Sequence, residues 1–117
     1  MRDTDTTLAD LRQRVTDFVA ARDWQQFHTP KNLSVAIAIE AAELLERFQW
    51  LTDSQATVAM EEQVERAALV DELADVLIYV LSLANALEVD MSTAVLNKLE
   101  RNEQRFPTER WRGRARR

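Results

Sequence analysis

Glu40 and Glu43, and further along Glu72 and Asp75, form two carboxylate pairs at i, i+3 spacing inside otherwise apolar stretches of a 117-residue chain. On a helix, residues three apart lie on one face about a turn from each other, so each pair aims two carboxylates at a common point. Two such helices packed together would converge four. No Lys or Arg occurs from Asn32 to Glu46 or from Ala67 to Asn97, so neither pair has a basic partner within its own stretch. Burying unpaired carboxylates is costly, and proteins offset the cost with an opposite charge, a proton or a metal ion. Four convergent acids without a local base favour the metal. A helical Glu-x-x-Glu is usually a solvated face; the apolar flanks and the second pair separate these residues from that reading.

Other residues share the stripes that carry the acids. Glu40, Glu43, Arg47 and Trp50 follow the i, i+3, i+7, i+10 line, Glu72 and Asp75 lead to Tyr79, and Lys98, Arg101, Asn102 and Arg105 cluster on one side of a later helix. An acidic metal centre, a set of cations and an aromatic ring are the parts that a nucleoside triphosphate requires: Mg2+ bridging phosphates, positive charge on the phosphate tail, and a ring against the base. Each part also has a plainer reading. Trp50 alone is more often a core or interface residue, His28 a structural hydrogen-bonding residue, and the later cations an exposed face.

The elements that must position these residues are helical. Glycine occurs once and proline twice, while Ala, Leu, Glu, Gln and Arg are plentiful, which is the composition of an all-α chain with few tight turns. The length is that of one domain with one core. Thr7 with Asp10 predicts a helix N-terminus, and Leu8, Leu11, Val15, Phe18 and Val19 recur at helical spacing over 8–21. Thr29 before Pro30 starts a second helix over about 30–51. Residues 53–60 read as a loop. A third helix over 61–87 is apolar nearly all round from Leu73 to Leu83, the mark of a segment buried centrally or at an oligomer interface. Asp90 caps a fourth over about 91–105, which Pro107 closes. Four helices with short connections suggest a bundle.

Composition also bounds the setting. Cysteine is absent, which removes disulfides, thiolate nucleophiles and Cys-based metal sites. No apolar run approaches the roughly 20 residues of a membrane span, and the start MRDTDTTLAD lacks the basic-then-apolar layout of a signal peptide, so the expected setting is cytoplasmic with no membrane partner. The net charge is −5, yet five arginines crowd into the last eight residues, RWRGRARR, leaving the rest at −10. That balance argues against nucleic acid as a partner; the arginine-rich end reads as a disordered, solvating tail over 108–117.

Glu40-x-x-Glu43, 28 intervening residues and Glu72-x-x-Asp75 resemble the metal-binding signature of the all-α nucleoside triphosphate pyrophosphohydrolases, the MazG-like superfamily. The flanks ARDWQQFHTPKNLSVAIAIEAAELLERFQW and ERAALVDELADVLIYVLSLANALEVDMSTAVLNKLERNEQRFP are more specific and are similar to its dCTP pyrophosphatase branch over about 10–107. The resemblance implies a four-helix MazG-like fold over 1–107, assembled as a homotetramer (a dimer of dimers) or at least a dimer, with sites between subunits. It implies Mg2+-dependent hydrolysis, with Mn2+ as a substitute metal, of a deoxynucleoside triphosphate to monophosphate and pyrophosphate, foremost dCTP and 5-modified dCTP. By match to the family's motifs, Glu40, Glu43, Glu72 and Asp75 would hold the metal; Trp24 and Trp50, with His28 nearby, would line the base pocket; Tyr79, Lys98 and Asn102 would lie near the phosphates or the pocket wall. The chain departs from the pattern at Phe106, where many relatives have Tyr, and at Val15, where mammalian-type relatives have His. Both departures bear on base preference rather than reaction class.

Three alternatives stand beside this expectation. The same chemistry on dUTP, phosphoribosyl-ATP or a broad set of triphosphates fits an acid site that reads the triphosphate and not the base. A non-catalytic helical interaction module would make the acids merely interfacial. A di-iron or di-manganese bundle would need Glu-x-x-His pairs, and the sole His28 lies outside both acid stretches.

Overall fold

The computed structural model describes residues 1–114, which form six helices and, among these residues, no strand. α1 (Leu8–Ala21) spans the predicted segment. Its start is fixed by a capping box: Thr7 Oγ1 accepts from Asp10 N at 3.1 Å, and Asp10 Oδ2 accepts from Thr7 N at 2.9 Å. α2 (Pro30–Glu46) begins where expected, with Thr29 Oγ1 accepting from Asn32 N at 3.2 Å, but ends five residues before position 51. The chain tightens there into i→i+3 bonds, from Arg47 N to Leu44 O and from Phe48 N to Leu45 O, and stops propagating as an α-helix.

The segment read as a loop over 53–60 is instead α3 (Asp53–Ala59). Thr52 and Gln55 form a second capping box, with Gln55 N donating to Thr52 Oγ1 and Thr52 N to Gln55 Oε1 at 2.9 Å. These two reciprocal bonds supply the start signal that composition alone obscured. α4 (Gln63–Leu87) is the predicted long helix, capped by the Glu62 carboxylate, which accepts from Val64 N and Glu65 N. It ends on Glu88 in the left-handed region, φ 54°, with Val89 N closing onto Ala84 O at 2.9 Å. α5 (Met91–Arg105) is capped by Asp90, whose Oδ2 accepts from Thr93 N at 3.0 Å. In the segment expected to be a disordered tail, Thr108–Trp111 makes one further turn, α6, whose Trp111 meets Phe106 edge-on at 5.0 Å; the tail's residues 115–117 lie outside the described ones.

α4 is the spine. α2 and α1 pack on it, and α5 makes no comparable packing. Among the described residues the buried apolar side chains are few: Val19 from α1, Leu33 from α2, and Leu81 and Ala84 from α4. A polar knot pins α1 to the end of α4. Asn85 Oδ1 accepts from Arg12 Nε at 2.8 Å, Asn85 Nδ2 donates to Thr16 Oγ1 at 3.1 Å, and Arg12 Nη1 donates to the Val89 carbonyl. Ile39, Leu73, Leu77, Ile78, Leu96 and Leu99 remain exposed, including one side of the helix read as apolar nearly all round. The radius of gyration is 17.2 Å, against about 13 Å for a compact chain of this length. The accessible surface is 9601 Å², against about 6,500 Å² for a compact monomer of this mass. No helix of the described residues is long and apolar enough to cross a membrane.

Candidate metal centre and adjoining cavity

The packing of α2 on α4 brings Glu40 and Glu43 against Glu72. Each offers a carboxylate oxygen, and these oxygens lie within 4.8 Å of one another. All three side chains are half-buried, and Glu40 Oε2 and Glu72 Oε2 are buried without a hydrogen-bond partner. Hydrogen bonding with Glu40 and repulsion from it, then burial, raise the Glu43 carboxyl above its ordinary 4.5. Burial first, then the Glu43 charge, raises Glu72 as well. The site thus holds more negative charge than its own protein partners satisfy. Convergent hard oxygen donors, orphaned buried oxygens and raised carboxyl groups fit a hard divalent cation.

Asp75 does not join that three-oxygen group. It sits one turn further along the same face of α4, half-buried, and its charge is felt at Glu72. One basic group does reach the cluster: Arg47 Nη2 lies 3.7 Å from Glu72 Oε1. The acids therefore lack a cation within their own stretches, as the sequence has it, but gain one from the residue immediately after α2. Four residues past Glu43, Arg47 shares its side of the helix, and the α2–α4 packing supplies the contact.

Seven residues beyond Glu72, about 10 Å along α4, Tyr79 begins an aromatic relay. Its ring lies 6.4 Å from His28, His28 lies 6.3 Å from Trp24, and Trp24 meets Phe18 edge-on at 5.8 Å. Trp24 is held by its backbone N–H on Val19 O, at the turn leaving α1. Trp24, His28 and Tyr79 line one mainly apolar cavity of about 440 Å³, whose wall also includes Val15, Phe18 and Ser82. His28 and Ser82 are shared with a neighbouring cavity of about 350 Å³ that Gln25 and Asn85 help to line. His28 Nδ1 and Ser82 Oγ are buried without a partner, which leaves a donor and an acceptor to offer in a mainly apolar wall.

Three further sequence-predicted site residues lie elsewhere. Trp50 is 86% exposed and lines neither cavity. Lys98 is exposed on α5, and Asn102, one turn on, is half-buried with Oδ1 unpartnered. Sequence reasoning missed Ser82 and Phe18. Ser82 carried a signal, since it is a hydroxyl three residues past Tyr79 in an apolar helix; Phe18 carried none beyond its core spacing.

A model of the MazG-like family matches residues 35–115. Among curated proteins, dCTP pyrophosphatase 1 of Rattus norvegicus is 46% identical over 109 residues, covering 93% of this chain and 64% of that protein. The Homo sapiens protein of the same name is 48% identical over 101 residues, covering 86% and 59%. The chain thus spans less than two thirds of the length of these relatives. A crystal structure of a pyrophosphatase from Archaeoglobus fulgidus superposes with a TM-score of 0.81 at 37% identity, covering 92% of this chain and 98% of that one.

Proposed function

The chain belongs to the MazG-like family, and on that footing we propose that it is a divalent-cation-dependent nucleoside triphosphate pyrophosphohydrolase. Its foremost substrates are dCTP and 5-modified dCTP, cleaved to monophosphate and pyrophosphate by water attack at the α-phosphorus. The observation that carries the reading is the meeting of Glu40, Glu43 and Glu72 from two packed helices, with two orphaned oxygens. It is supported by the name that the mammalian relatives bear.

Glu40, Glu43 and Glu72, with Asp75 one turn away, would hold Mg2+, or Mn2+ in its place. Such a cation supplies charge neutralisation on the triphosphate and a lowered pKa for water. The chain's own residues do the rest. Glu40 or Glu43 orients the attacking water and takes its proton, and fixing water and phosphorus in line contributes through positioning. Trp24 and Tyr79 enclose the base, while His28 and Ser82 offer it polar atoms. Val15 puts an apolar side chain in that wall, so base choice rests on few polar groups and the same chemistry on dUTP or another triphosphate is the second reading.

Lys98 and Asn102, on a helix that packs little against its own chain, and the exposed Trp50 would complete the site of a second copy. The assembly we propose is a homotetramer built as a dimer of dimers, which also covers the exposed apolar side of α4. Lys98 there balances charge on the leaving pyrophosphate.

Pyrophosphate release from dCTP, 5-methyl-dCTP, dUTP, dTTP, dATP, dGTP and the ribonucleotides, with an EDTA control, tests the proposal. Metal-dependent turnover strongest on the cytosine nucleotides is the expected result. In folded Glu40→Gln and Asp75→Asn proteins the loss should exceed the roughly 10–100-fold typical of residues that only support a metal ligand. Turnover on another base would retire the cytosine preference, and no turnover on any nucleotide would move the weight to a helical interaction module.

A further inference from the structure

Arg47 stands at the end of α2 with its guanidinium 3.7 Å from Glu72 and its side chain 37% exposed, while Glu72 is 16% exposed. That separation is ion-pair range but too long for a hydrogen bond, and among the described residues the guanidinium has no hydrogen-bond partner. Arg47 is thus held by charge alone, on a flexible stem, beside three carboxylates that a divalent cation would share. A cation bound to Glu72 and a guanidinium beside Glu72 repel each other. The same planar fork is the side chain best shaped to grip a phosphate through two parallel hydrogen bonds.

We propose that Arg47 couples the two ligands of this site: it neutralises Glu72 until a triphosphate arrives, then transfers to the phosphates and leaves Glu72 to the divalent cation. Cation and nucleotide consequently bind together, each raising the affinity for the other, instead of the cation loading first. The coupling is reciprocal by linkage, since both equilibria share one side chain. This inference rests on the pyrophosphohydrolase reading of the site.

Mn2+ binding, followed by electron paramagnetic resonance and calorimetry with the full chain, tests it with and without a non-hydrolysable α,β-imido dCTP analogue. Wild-type protein should bind Mn2+ about fivefold or more tightly with the analogue than without, the lower end of ordinary coupling between sites. Arg47→Leu should bind Mn2+ more tightly than wild type in the absence of nucleotide, bind the analogue more weakly, and lose the coupling. Arg47→Lys, which keeps the charge but not the fork, should retain the weak nucleotide-free binding of wild type. The sign is informative: general damage to the site would weaken Mn2+ binding, whereas loss of a competing cation tightens it. Nucleotide-free Mn2+ affinity unchanged or weakened in a folded Arg47→Leu protein would overturn the coupling while wild-type turnover leaves the enzymatic reading standing. Wild-type protein that neither binds Mn2+ nor hydrolyses any nucleotide would remove both.

Discussion

At the scale of single residues, Glu43 and Glu72 tie the chemistry of the cluster to the stability of the chain. Both carboxyl groups titrate above the ordinary 4.5 in the folded protein, Glu43 because of Glu40 and Glu72 because of burial. Below 4.5 they are protonated in the folded and unfolded chain alike, and their contribution to stability is fully present. As pH rises through the raised folded values the folded state must give up protons it binds more tightly, and that contribution is lost. In EDTA, melting temperature should therefore fall as pH rises above 4.5, and millimolar Mg2+ should flatten that fall by mass action. Asp90 behaves oppositely: its hydrogen bonds with Thr93 lower its pKa below the ordinary 3.8, so its contribution disappears only as pH falls below that value. The two windows separate in a melting series across pH. The acids were visible in the sequence because carboxylates without cations in apolar helices are conspicuous. Arg47 was visible on the same stripe, but its reach to Glu72 depends on how α2 lies on α4, which spacing within one helix does not encode. Asp75 shares its periodicity with Glu72, yet periodicity fixes a face and not the distance to a neighbouring helix.

At the scale of elements, the helices announce themselves through their caps. Thr7, Thr29 and Asp90 were readable as starts because each precedes a periodic apolar run, and α1 and α5 lie on their predicted spans. α3 escaped because the Thr52 and Gln55 capping box opens onto a run of only seven residues, which gives periodicity little to work on. The other end of the long helix is less well solved by the chain. Glu88 closes α4 with φ 54°, a conformation that costs a residue with a Cβ roughly 1–2 kcal/mol, and Glu88 is exposed. Glu88→Gly should relieve that strain and stabilise the protein by about 1 kcal/mol, the opposite of what glycine does inside a helix. Chemical denaturation with Glu88→Ala as a control measures it, since alanine removes the charge but keeps the Cβ.

At the scale of the whole molecule, the small set of buried residues is the decisive fact. Among the described residues four apolar side chains are buried while Leu73, Leu77, Leu96 and Leu99 are exposed, and the surface exceeds that of a compact monomer by about 3,000 Å². A stable association needs about 800 Å² per partner, so the excess is sufficient for more than one contact. The near all-round apolarity of α4 announced a segment in need of cover in the sequence; in the proposed assembly that cover comes from contacts between chains, which periodicity within one helix does not encode. Melting temperature should accordingly rise with protein concentration, checked by calorimetry over a hundredfold dilution series alongside sedimentation of the same samples. The uncovered flank of α4 also has a consequence for how the protein comes into being. If native packing is finished only by another chain, the last step of refolding is a collision: its rate should scale with the square of the concentration of partly folded chains, and a dilute nascent chain would wait with its apolar flank open to whatever else it meets.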